Sequence, residues 1–146
     1  MPDIPFNFVA LLVCTVAGFF LSFIWYSALF GKPWAKEMGF DPSDSPAGAA
    51  LAKALVLTVL SVFLIAFVQS SSIAVWTPST WGIKDANIPK YAQALQAGFF
   101  TWMGFFLPTL IHGVAWEKRS FKLFSINAGY YLVLLMLISF ILVYLR

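Results

Sequence analysis

The sequence predicts an all-α membrane protein: four transmembrane helices in an antiparallel bundle, with a short interfacial helix after the first. Hydrophobic residues make up 61% of the 146 and charged residues only 10%, against about 25% charged in a soluble domain. With a mean hydropathy of +0.86, such a chain does not cover its own surface with polar groups. The apolar residues also run in long unbroken stretches, whereas the strands of a membrane barrel alternate apolar and polar side chains. Helices satisfy every backbone N–H and C=O within the segment, as a bilayer requires. The charges gather between these stretches: WEKRSFK, 116–122, places four of the fifteen charged residues in seven positions.

Spans are predicted at 7–30, 46–70, 91–116 and 123–145, each at or above the roughly 20 residues that cross a hydrocarbon core. They form one membrane domain over 1–146, without a repeat of fixed period or a low-complexity segment. Span one is uncharged from Pro5 to Phe30. Along it Ala10, Cys14, Gly18 and Ser22 recur every four positions, a row of small side chains that lets another helix approach closely. No Lys or Arg precedes this span, and its apolar stretch exceeds the roughly 7–15 residues of a signal peptide's core, so it is expected to stay in the mature protein. Gly31 and Pro33 mark its end, with Trp25 and Tyr26 placed as interfacial anchors. In the PWAKEMGF that follows, Trp34 and Met38 share a face while Lys36 and Glu37 turn away, the pattern of a short helix lying in the interface.

Span two opens on Ser45 as a cap and Pro46 in the first turn. Lys53 then lies about 10 Å along the helix and is expected to snorkel to the interface rather than act inside the membrane. After Ser70, Ser71 and Ser72, the residues Trp76, Pro78, Trp81 and Pro89 predict a surface loop anchored by its tryptophans. The alternative is that residues 73–76 prolong the helix. Span three carries Gln93, Ala97, Thr101, Gly104, Pro108 and His112 at spacings of 4, 4, 3, 4 and 4, which confines them to one face about 100° wide. Pro108 removes the hydrogen bond to the Gly104 carbonyl, so a kink is expected there. Packing against span one or four is the expected use of this face, and a lined pathway ending at a protonatable His112 is the alternative. The connection to span four is only about six residues, so spans three and four form a hairpin. Asn127 lies one turn into span four on the face of Tyr131, with His112 or the carbonyl region freed by Pro108 as candidate partners.

The net charge of +3 and a pI near 9.1 do not indicate nucleic acid, because the basic side chains sit mostly in the connections. Lys32, Lys36, Lys53, Lys118, Arg119 and Lys122 stand against Lys84, Lys90 and Arg146 on the other side. Six against three places connections one and three in the cytoplasm and both termini outside, in a bacterial-type plasma membrane. The basic members of the 117–122 cluster each fit an anionic lipid surface at about 1 kcal/mol. Expected partners are the lipid bilayer and either further copies of this chain or other membrane subunits. Cys14 is the single cysteine, so no intrachain disulfide is expected. No acidic side chain lies in the body of any span, the chain has one His, and no catalytic or nucleotide-binding motif occurs, so no cofactor, metal or catalytic residue is assigned.

Two stretches carry a family resemblance. WYSALFGKPWAKEMG, 25–39, and EKRSFKLFSINAGYYL, 117–132, resemble the signature stretches of the uncharacterised membrane family called domain of unknown function 1761. The first resembles W-Y-S-P followed by F-G-K-x-W. It is matched by Trp25, Tyr26, Ser27, Phe30, Gly31, Lys32 and Trp34, with Ala28 where proline is usual, which implies a less kinked helix end. The second resembles E-x-R then L-x-x-I-N-A-G-Y, and is matched by Glu117, Arg119, Leu123, Ile126, Asn127, Ala128, Gly129 and Tyr130. The resemblance implies a small integral-membrane protein of about four spans and names no substrate. Because alternating topology puts both stretches on one side, Lys32 and Lys36 are expected to face Glu117, with Trp34 packing over the start of span four. The candidate polar site is therefore His112, Asn127, Glu117, Arg119, Lys32 and Trp34. The function expected is that of a structural or accessory bundle without catalytic activity, self-associating through the small-residue faces of spans one and three. The alternative is a small oligomeric channel or transporter lined by the Gln93 to His112 face.

Overall fold

A computed structural model describes residues 6–41, 47–83 and 87–145. The described chain is all-helical, and four helices are long and apolar enough to cross a membrane: Phe8–Leu29, Gly48–Trp76, Lys90–Trp116 and Phe121–Tyr144. In the first, helix α1 (Phe8–Ile24) runs into a π turn at Trp25–Leu29, and α2 (Gly31–Met38) follows. Helix α3 (Gly48–Trp76) leads through a 3-10 turn at Pro78–Trp81 to α4 (Lys90–Thr101). A second π turn, Trp102–Phe106, joins α4 to α5 (Leu107–Trp116), and α6 (Phe121–Tyr144) closes the chain.

Helix α6 is the axis on which the others pack. Its buried residues include Ile126, Leu134, Leu135, Ile138 and Ser139. Along the α1–α6 seam, Asn7 donates to the Leu145 carbonyl, Cys14 contacts the Ile138 carbonyl, Ser22 meets Tyr130, and Trp25 donates to the Ile126 carbonyl. The partners descend along α6 as they ascend along α1. The small row Ala10, Cys14, Gly18 and Ser22 lies wholly in this interior. A methyl group added at Gly18 would stand 2.5 Å from a Val62 methyl and 2.9 Å from one of Leu134, so α3 and α6 already occupy the face read as a surface for self-association. On the other flank, a methyl at Gly98 would lie 3.1 Å from the Leu135 carbonyl oxygen, which puts the backbones of α4 and α6 in close approach.

Several expectations change. The cap at Ser45 and Pro46 lies outside the described residues, and α3 starts after Ala47, whose side chain makes no capping bond. The helix also runs past Ser70 to Trp76, the alternative reading. Ser71 and Ser72 do not interrupt it because their hydroxyls donate back to the Phe67 and Val68 carbonyls, and Ile73 and Ala74 are buried. Trp25 and Tyr26, read as interfacial anchors, pack their rings against Tyr130 of α6.

Pro108 acts differently from a simple kink. The backbone N–H of Leu107 reaches the Trp102 carbonyl, five residues back, and α5 restarts at Leu107, so Pro108 falls in a first turn where a missing N–H costs nothing. The extra residue of the π turn rotates everything downstream by about 100°. Gln93, Ala97 and Thr101 therefore face the bundle, while Gly104, Pro108 and His112 are exposed. A single continuous span-three face does not exist.

Candidate functional site

The richest constellation in the fold is where the end of the first span meets the beginning of α6. Each residue of INAGYY has a partner role or a packing role there. The Ile126 carbonyl accepts the Trp25 indole N–H at 3.1 Å, and the Ala128 carbonyl accepts that of Trp102 at 2.9 Å. The Asn127 Oδ1 accepts the Tyr26 hydroxyl at 3.0 Å. Gly129 leaves room for the Trp25 ring, which would stand 3.2 Å from an added methyl. Tyr130 meets Ser22 at 2.5 Å, and Tyr131 packs on Phe106 with ring centroids 4.7 Å apart.

Both π turns begin at a tryptophan that donates to an α6 carbonyl. A π turn carries one residue more than the α-helix would use, and this re-aims the side chains at its start. Here two turns from different spans bring their indoles to carbonyls two residues apart on one helix.

The tyrosines form a wall. Tyr26 and Tyr130 have centroids 5.0 Å apart, and so do Tyr130 and Tyr131. Between this wall and α3 lies a cavity of about 290 Å³, whose α3 side is formed by Leu57, Thr58, Ser61, Val62 and Ile65. Most hydroxyl protons on it are committed. Ser22 donates to the Gly18 carbonyl, which leaves Tyr130 as the donor in the Tyr130–Ser22 bond; Tyr26 donates to Asn127 and Thr58 to the Ala54 carbonyl. Among the described residues, the hydroxyls of Tyr131 and Ser61 have no hydrogen-bond partner. On its α3 side, Leu57 and Ser61 are exposed, so the cavity opens there to the outside of the bundle.

A smaller cavity of about 140 Å³ lies between α5 and α6, lined by residues that include Thr109, Gly113, Glu117, Arg119 and Asn127. Three residues of the expected polar site, Glu117, Arg119 and Asn127, thus line one cavity. His112 does not join them: it is exposed on α5, and Asn127 bonds Tyr26 instead. Lys32 is exposed, and Glu117 pairs with Arg119 at 2.7 Å rather than with Lys32 or Lys36. Trp34 packs on Tyr26 and Phe40.

The polar link between the first and third connections is Glu37, which was expected to turn away. It accepts from the Ser120 hydroxyl at 2.5 Å and lies 3.8 Å from the Lys122 ammonium. Gln69 is also new: nearly fully buried, it donates to Ser139 and accepts from Thr101, each at 3.0 Å, so one amide ties three spans together. Gln93 donates similarly to Thr77 at 2.5 Å. The sequence signal for Gln69 was available, since a lone amide in an apolar run needs a partner. Glu37 carried none beyond its place in a short amphipathic helix.

A family model described as Protein of unknown function (DUF1761) matches residues 9–143. No curated protein and no solved structure matches the chain.

Proposed function

The chain belongs to this family of unknown function, and from that premise we propose that it is a non-catalytic integral membrane protein, a structural or accessory bundle that serves by its shape and surface. The observation that carries the reading is how the polar side chains within the spans are used. Gln69, Thr101 and Ser139 satisfy one another, as do Ser22 with Tyr130 and Tyr26 with Asn127, which is the use of polar residues as helix-to-helix glue. In this reading connections one and three face the cytoplasm of a bacterial-type plasma membrane, both termini lie outside, and α2 rests in the interface. Partners, whether lipid, a second copy or another subunit, meet the exposed first half of α3, because the small-residue row of span one and Gly98 of span three are already packed inside the bundle.

A second reading, a channel formed between several protomers, rests on one observation: Gly104, Pro108 and His112 stand exposed on the third span. Purified protein in proteoliposomes distinguishes the two. The accessory reading expects ion and proton flux at the level of empty vesicles from pH 5 to 8. A conductance that depends on pH and is lost in His112→Ala would replace it with the channel.

A further inference from the structure

We propose that the tyrosine-walled cavity is a binding site for a neutral, membrane-soluble molecule with a planar carbonyl-bearing ring, the chemistry of a lipid-soluble quinone. The site is independent of the accessory role. Tyr131 lies about 15 Å along α6 from Phe121, close to the middle of a hydrocarbon core roughly 30 Å thick. A phenol proton without an acceptor is costly at that depth, because no bulk water is there to take it. Ser61 can rotate to donate to its own helix, as Thr58, Ser71 and Ser72 do. Tyr131 has no such recourse, since its hydroxyl stands a ring's length from any carbonyl of its own turn. The cavity thus offers one stranded donor, and a fitting occupant brings an acceptor.

The surroundings narrow the class. Among the described residues, no charged side chain lines the cavity, so an anionic or cationic head group would be held without a counter-charge and is excluded by its desolvation cost. Glycerol ester carbonyls of ordinary lipids sit at the interface, about one leaflet's hydrocarbon thickness from Tyr131, so they do not reach it. The wall is aromatic, with Tyr130 and Tyr131 at an interplanar angle of 65°, and it presents ring faces and edges to a flat guest. The volume of about 290 Å³ falls at the small end of the roughly 300–1,000 Å³ range of ligand pockets, room for one ring while a chain leaves through the gap beside α3.

The test uses the full chain in nanodiscs and two probes, a decyl-substituted benzoquinone and decylbenzene, which lacks the carbonyls. Binding is followed by quenching of Trp25 and its neighbours and by the shift in thermal unfolding. The expected result is saturable binding of one quinone per chain, weakened about tenfold in Tyr131→Phe by loss of one hydrogen bond, and no competition from decylbenzene. Tyr131→Phe keeps the ring contacts with Phe106 and Tyr130. Ser61→Trp, at an exposed position of α3, fills the cavity while leaving the Tyr131 side chain in place and is expected to abolish saturation. Equal affinity in Tyr131→Phe, equal competition by decylbenzene, or quenching that never saturates and is the same in Ser61→Trp would each overturn the proposal.

Discussion

Lys118 has φ +57°, the left-handed conformation that a side chain with a Cβ adopts at a cost. It does so because α5 ends there. The N–H groups of Glu117 and Arg119 both return to the Gly113 carbonyl, at 3.2 and 3.1 Å, and closing that loop requires a left-handed residue between them. Lys118→Gly is therefore expected to stabilise the protein by about 1 kcal/mol, read as a later midpoint in chemical unfolding from micelles. Ser120 carries the opposite expectation. Its hydroxyl oxygen accepts the Leu123 N–H at 3.1 Å as the cap of α6, and the same hydroxyl donates to Glu37. Ser120→Ala removes both, and a loss of about 1–2 kcal/mol should appear in the same assay. A change below a few tenths would mean that water replaces both bonds. These side chains make the third connection a pair of helix ends locked together, and the short stretch needs no catalytic role to account for its composition.

At the level of elements, the governing feature is how closely α4 and α6 approach. Gly98 faces the Leu135 carbonyl and the Met136 sulfur, each 3.1 Å from where a Cβ would sit. Backbone cannot swing aside as a side chain tip does, so Gly98→Ala is expected to cost about 1–3 kcal/mol by overpacking. Gly104, one helical face away in the second π turn, has nothing within 4 Å of the same construction. Gly104→Ala should be neutral or stabilising by up to about 1 kcal/mol, and the pair measured side by side in thermal unfolding separates close packing from helix propensity. The contrast also shows what the sequence could reveal. The four apolar helices and the buried Ala10 to Ser22 row were legible because hydrophobic length and small-residue spacing act along one helix at a time. The π turns were not, because no residue type announces them. Each is held by a tryptophan whose acceptor lies on a helix distant in sequence, at Ile126 or Ala128. Missing the second turn converted two half-faces into one imagined polar face, and it placed His112 beside Asn127 when the extra residue turns it outward.

For the whole molecule, the same contacts that order the helices decide which charges share an end. The bond from Asn7 to the Leu145 carbonyl brings the start of α1 to the end of α6, and the Glu37 contacts with Ser120 and Lys122 bring the first and third connections together at the far end of the bundle. Lys32, Lys36, Lys118, Arg119 and Lys122 therefore gather at one end, while among the described residues the other end holds Lys90, placed over the Tyr144 ring at 5.7 Å. At about 1 kcal/mol for each basic side chain near an anionic leaflet, this asymmetry is the physical basis on which the first end is proposed to face the cytoplasm. This orientation can be read from single cysteines introduced into a Cys14→Ser background. That background change is expected to be mild, because serine is no larger than cysteine and its hydroxyl can take over the buried thiol's bond to the Ile138 carbonyl. With a membrane-impermeant maleimide on intact bacterial cells, Ser79→Cys, in the turn after α3, should label at once. Met38→Cys and Lys118→Cys, at the basic end, should label only after the membrane is opened. The reverse pattern would place the basic end outside and remove charge as the determinant of orientation. Labelling of Met38→Cys and Ser79→Cys together in intact cells would argue against a single fixed topology.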